Sequence, residues 1–81
     1  MEDYVRKMCI EHKALSTKIM KLEKKLETMK EQKVLVSYES YGLMVLQLNA
    51  MNSYLNTLEK RINLKGVEVS IDGDYYEKAD I

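Results

Sequence analysis

Proline, tryptophan and phenylalanine are all missing from these 81 residues, and cysteine and histidine occur once each, as Cys9 and His12. Without proline, nothing breaks a long helix from within. One cysteine allows no internal disulfide and fits a reducing compartment. Catalysis has little to work with: Cys9 and His12 stand one helical turn apart, but no third polar group orients the imidazole, and there is no glycine-rich phosphate loop. No Cys/His set has zinc spacing, and the acidic residues near the C-terminus do not fit a calcium loop. The expectation is a non-enzymatic chain with no cofactor and no metal. The longest unbroken apolar run, Leu43 to Leu46, falls far short of the roughly 20 residues that cross a bilayer. No charged-then-apolar leader is visible, so a soluble, cytoplasmic protein without a membrane partner is expected.

Glycine is confined to Gly42, Gly66 and Gly73, while Lys, Glu, Leu and Met dominate the first two thirds of the chain. That mixture favours helix. Formal charge sums to zero, which gives no reason to expect duplex nucleic acid as a partner. Its distribution is uneven. Residues 2–33 hold nine bases against six acids, a surplus of three positive charges, and residues 67–81 hold one base against five acids, a surplus of four negative ones.

Met1, Val5, Met8, His12, Leu15, Ile19, Leu22, Leu26 and Met29 recur in steps of four and three, the seam of a helix packed lengthwise on another helix. A second seam runs through Tyr41, Met44, Leu48, Met51, Leu55, Leu58 and Ile62. Paired in antiparallel order, Met29 meets Tyr41, Ile19 meets Met51 and Met8 meets Ile62, and each pair of residue numbers has the same total of 70. Unrelated helices have no reason to share that total. The chain is therefore expected to reverse near Leu35, within Val34-Leu35-Val36, with Ser37 capping the return helix and Glu39 in its positively polarised first turn.

The expected fold is all-α: an antiparallel hairpin of two long helices, about 2–32 and 37–65, forming a unit over 1–66, followed by an acidic C-terminal tail over 67–81. Gly66 reads as a helix stop. Val67 to Ile71 alternates and Asp72-Gly73 offers a turn before Tyr75-Tyr76, the pattern of a short β-hairpin. A lone two-stranded ribbon is marginal in water, so the tail is expected to pack on a neighbouring subunit or to stay disordered. Leu43, Val45, Leu46 and Ala50 add apolar bulk beyond the second seam, and a chain of this length buries little surface alone. Both features point to a homo-oligomer; the bland alternative is that the extra apolar residues fold back onto the tail within one chain.

Ligand chemistry gathers at the open end of the hairpin. Aromatic faces beside guanidinium groups suit an anionic nucleotide, which needs stacking for its base and charged donors for its phosphate. The candidate ligand-binding residues are Tyr4, His12, Tyr54 and Arg61, with Lys18 and Lys21 from the flank of the first helix. The bland reading of His12 is a polar residue tolerated at a helix interface, and that of the lysines is a solvated helix surface.

The string Tyr4-Val5-Arg6-Lys7-Met8, Glu11-His12-Lys13-Ala14-Leu15, Lys21-Leu22, Ser37, Leu46-Gln47-Leu48, Met51, Tyr54, Leu58 and Arg61-Ile62 resembles small phage-encoded helical-hairpin proteins, including those of crAss-like phages. The resemblance spans about residues 4–62 and leaves out the tail. It is similar to phage anti-defence sponges that sequester cyclic nucleotide immune messengers. It implies a phage protein acting in the host cytoplasm as a homo-oligomer, capturing a small anionic nucleotide of the cyclic oligonucleotide or cyclic ADP-ribose type without turnover. The alternative is a helical protein-interaction adaptor for a host or virion protein.

Overall fold

A computed structural model describes residues 1–31 and 38–78. Two helices, α1 (Asp3–Glu31) and α2 (Tyr38–Leu64), are followed by two short strands, β1 (Val67–Val69) and β2 (Tyr75–Glu77). Asp3 and Lys30 stand in the first and last turns of α1, and Glu39 and Arg61 in those of α2. Each charge opposes the end of the helix dipole it sits on. The reversal at Val34-Leu35-Val36 and the Ser37 cap lie outside the described residues.

The helices pack against each other in antiparallel order, as the seams require: Tyr54 reaches Glu11, His12 lies beside Glu59, and Lys65 sits over Tyr4. α2 ends at Gly66, whose φ of 82° is the left-handed conformation that stops a helix without a Cβ penalty. The last amides turn inward, Lys65 N to Ile62 O and Gly66 N to Asn63 O, both 3.0 Å. β1 and β2 then pair antiparallel, with Val67 opposite Glu77 and Val69 opposite Tyr75. Between them Ser70 N donates to Asp74 O at 2.8 Å and Gly73 N to Ser70 O at 3.0 Å, with Gly73 at φ 84°.

The tail differs from expectation in where it packs. It lies on its own helices, at the open end. Val67 is 2 % exposed and joins Val5, Met8, Cys9, Leu58 and Ile62 in one cluster, against which Val69 and Tyr75 also pack. Lys78 N closes the arrangement on Gly66 O at 2.7 Å. A two-stranded ribbon gains its stability here from the apolar end of the hairpin it covers.

The seam is most continuously buried there. Farther along, Ile19 and Leu26 are buried, whereas Leu15, Leu22, Met44, Leu48, Met51 and Leu55 are half-buried. The molecule measures 55 × 20 × 19 Å, with a radius of gyration of 16.1 Å against about 12 Å for a compact domain of this length. It is a rod, with its best-packed core at one end.

Candidate functional site

Three of the chemistry-bearing residues sit along one flank of the hairpin. Tyr4 and Arg61 line a common cleft of about 160 Å³ with Met8, Leu64 and Lys65. The Lys65 ammonium stands 5.4 Å from the centre of the Tyr4 ring, a cation–π distance. No carboxylate lines this cleft. Seven residues along, about 10 Å on a helix, the Tyr54 hydroxyl donates a hydrogen bond to Glu11 Oε1. That bond, with Glu11 as acceptor, pushes the Tyr54 phenol above its ordinary pKa, and desolvation adds to it while Arg61 pulls the other way.

A second, larger cleft of about 370 Å³ lies on the other side of Tyr4 and shares Lys65 with the first. It contains Glu2 and Glu77 as well as Lys78. Met1's amino group pairs with Glu77 at 2.6 Å, and hydrogen bonding to it holds that carboxyl below its usual range. For an anion the smaller cleft is the better electrostatic host, because its only charges are the cations of Arg61 and Lys65.

Lys18 and Lys21 are exposed on α1. They stand 14 and 17 residues beyond Tyr4, about 21 and 26 Å along the helix axis. Within one chain they are remote from the Arg61 cleft. Lys18, seven residues after Glu11, shares the Tyr4–Glu11 flank by heptad spacing.

His12 is enclosed, at 5 % exposure. Its Nδ1 lies 2.7 Å from the Tyr75 hydroxyl, the two rings meeting edge to face at 5.5 Å, and its Nε2 faces Glu59 Oε2 at 3.6 Å with no hydrogen-bond partner. The tautomer with the proton on Nε2 suits both neighbours: Tyr75 donates to Nδ1, and the Nε2 proton points toward the Glu59 carboxylate. His12 therefore bolts the tail to the hairpin. Cys9, buried in the same cluster, has its thiol pushed up by desolvation, which keeps it protonated and a poor nucleophile. Among the described residues no three His, Cys, Asp or Glu side chains gather as a metal site, and no helix is long and apolar enough to cross a membrane.

Glu11, Glu59 and Tyr75 complete these arrangements and do not stand out in the sequence as site residues. A second register would have found two contacts: Tyr4 with Arg61 and Glu11 with Tyr54 both total 65, the flank counterpart of the seam's 70.

Two consequences are measurable. Replacing Tyr75 by phenylalanine leaves both imidazole nitrogens buried without a partner, so it should cost about 1–3 kcal/mol and lower the thermal midpoint by about 4–8 °C per kcal/mol. An unchanged midpoint would remove the bolt from the account. Tyr75 also has its pKa pushed up to about 12, first by burial and then by Cys9 and Glu59. A folded pKa above the unfolded value near 10 means stability is full below about pH 10 and falls as pH rises toward 12. Denaturant midpoints across that window, compared between wild type and Tyr75→Phe, should show the alkaline slope shallower in the variant.

Comparison with curated proteins and with solved structures returns no significant match. A family model described as Sequestin matches residues 2–64, which takes in both helices with Tyr4 and Arg61 and stops short of Lys65 and the strands. That match covers well over half of the chain, and the chain belongs to the Sequestin family.

Proposed function

We propose that this chain is a phage anti-defence sponge, which binds a small anionic nucleotide immune messenger of the cyclic oligonucleotide or cyclic ADP-ribose type and holds it without turnover. The family's name denotes sequestration, a binding role rather than catalysis. The observation that carries the ligand class is the cleft that pairs an aromatic ring with two cations and no acid. Tyr4 stacks on a base, and Arg61, with Lys65 beside it, neutralises phosphate through charge-assisted hydrogen bonds. Tyr54 extends the same flank. In a homo-oligomer in the host cytoplasm, Lys18 and Lys21 reach such a ligand from another copy. His12 acts one step back, by holding the tail to the hairpin through Tyr75.

The test is a thermal-shift panel of cyclic di- and trinucleotides and cyclic ADP-ribose isomers. At least one ligand should raise the midpoint, by about 2.7 kcal/mol of added stability at a hundredfold excess over its Kd. No shift with any of them would overturn the reading.

The rival reading, an adaptor that binds a host or virion protein, draws on the exposed Leu43 and Leu46 of α2. Recovery of one stoichiometric protein partner from host lysate, with no nucleotide bound, would favour it.

A further inference from the structure

We infer that the larger cleft, between the start of α1 and the tail, is the sugar-recognising half of the ligand site, where Glu2 accepts hydrogen bonds from ribose hydroxyls of the captured nucleotide. This deepens the sponge reading and rests on it. That reading places one base and its phosphate; this one places the ribose of the ligand's far half.

Size requires a second compartment. The Tyr4–Arg61 cleft holds about 160 Å³, whereas small-ligand sites run from about 300 to 1,000 Å³. A phosphate and part of one base fill it. Both messenger types contain more than one ribose, so the remainder has to lie in a neighbouring space. The larger cleft, about 370 Å³, is that neighbour, because Tyr4 and Lys65 line both.

Charge selects the end of the ligand that enters. The cleft's other ionic groups are already engaged. Met1's amino group pairs with Glu77 at 2.6 Å, Lys78 Nζ donates to Asn63 O at 3.3 Å, and the Lys65 ammonium stands over the Tyr4 ring. Glu2 is uncommitted: its carboxylate makes no hydrogen bond or ion pair with any of the described residues. An ionised carboxylate is an acceptor alone, so it repels phosphate and takes hydroxyl protons. Phosphate therefore stays with Arg61, and the donor-rich sugar turns toward Glu2. The opposite orientation sets phosphate against Glu2 and leaves Arg61 beside neutral hydroxyls.

The far wall of this cleft is held in place. Gly66, Val67, Glu77 and Lys78 form it. Val67 is buried in the end cluster, the Tyr75 hydroxyl meets His12 Nδ1 at 2.7 Å, and Lys78 N closes on Gly66 O at 2.7 Å. A wall fixed beforehand spares the ligand the cost of ordering it. All four residues lie outside the matched range 2–64, so the match does not account for this cleft.

The experiment is calorimetric titration of the full chain with 3′,5′-cyclic diadenylate, cyclic triadenylate and cyclic ADP-ribose, each beside its 2′-deoxyribose counterpart. Wild type and Glu2→Ala are compared. The carbonyl of Glu2, not its side chain, receives Val5 N and Arg6 N, so the substitution keeps the start of α1. Removing a negative charge should tighten the binding of an anion if charge alone acts. Loss of a hydroxyl acceptor does the reverse, so the sign decides. Wild type should bind the ribose form of at least one probe about tenfold more tightly than its deoxy form, and Glu2→Ala should erase that preference by weakening the ribose form about tenfold. Glu2→Gln, which keeps an acceptor oxygen, should recover part of it. Equal or tighter binding of the ribose form by Glu2→Ala overturns the inference and leaves the sponge reading standing on Arg61, as does an equal loss for both forms. No heat from wild type with any probe overturns the inference together with the nucleotide reading.

Discussion

Replacing Ile62 by alanine is expected to cost about 2–5 kcal/mol, the range for deleting a buried branched side chain and leaving a cavity. Ile62 has no exposed surface and Leu58 has 1 %, and both contribute to the cluster that includes residues of α1, α2 and β1. Total stability for a chain of this length is about 4–12 kcal/mol, so the variant should lose a large share of it and melt well below the wild type. The tail should come loose with the core. Amide exchange at Val67–Val69 should accelerate as much as in the last turns of α2, because Val67 packs in the same cluster as Ile62. Leu22→Ala, at a half-buried seam position, should cost clearly less. Equal losses at the two sites in urea titrations would mean that the rod is uniformly packed and that its open end is not the stability centre.

Replacing Arg61 by alanine is expected to leave the fold intact and to weaken nucleotide binding by about 10- to 150-fold. The side chain is exposed, so its loss opens no cavity, and surface substitutions of this kind usually stay within about 0.5 kcal/mol. For the ligand, loss of charge-assisted hydrogen bonds to phosphate is worth about 1.5–3 kcal/mol. Arg61→Lys should recover only part of the affinity, because a single ammonium cannot reproduce the paired donors of a guanidinium. Tyr4→Ala removes the stacking surface and should cost about 1–3 kcal/mol in binding. The two effects should not be additive, since both groups line one cleft. Full affinity in Arg61→Ala, with the variant's thermal midpoint unchanged, would place the ligand elsewhere.

The hairpin was legible because helix packing writes itself in a period. Steps of three and four fixed both seams, and their common total located the antiparallel register without any structural information. Gly66 and Asp72-Gly73 marked the stop and the turn, because those conformations favour residues without a Cβ penalty. The position of the tail was not legible: the His12–Tyr75 contact joins residues 63 apart in sequence, and no local pattern reports a pairing of that range. The candidate site was half legible. Residue chemistry singled out Tyr4 and Arg61, which share a cleft, but it also singled out His12, whose ring is spent holding the tail. Helical rise alone was enough to separate Lys18 and Lys21 from that cleft within one chain. Glu11 escaped notice because a glutamate on a lysine-rich helix looks like ordinary solvated surface until the flank register pairs it with Tyr54.

Calorimetric titration of the purified protein with the best nucleotide from the panel, followed by denaturation and recovery of the ligand, tests the central claim most directly. The account predicts saturable heat at a fixed ratio of ligand to chain, a much weaker response in Arg61→Ala, and ligand recovered chemically intact after prolonged incubation. Absence of heat, or a ligand returned in altered form, would contradict it.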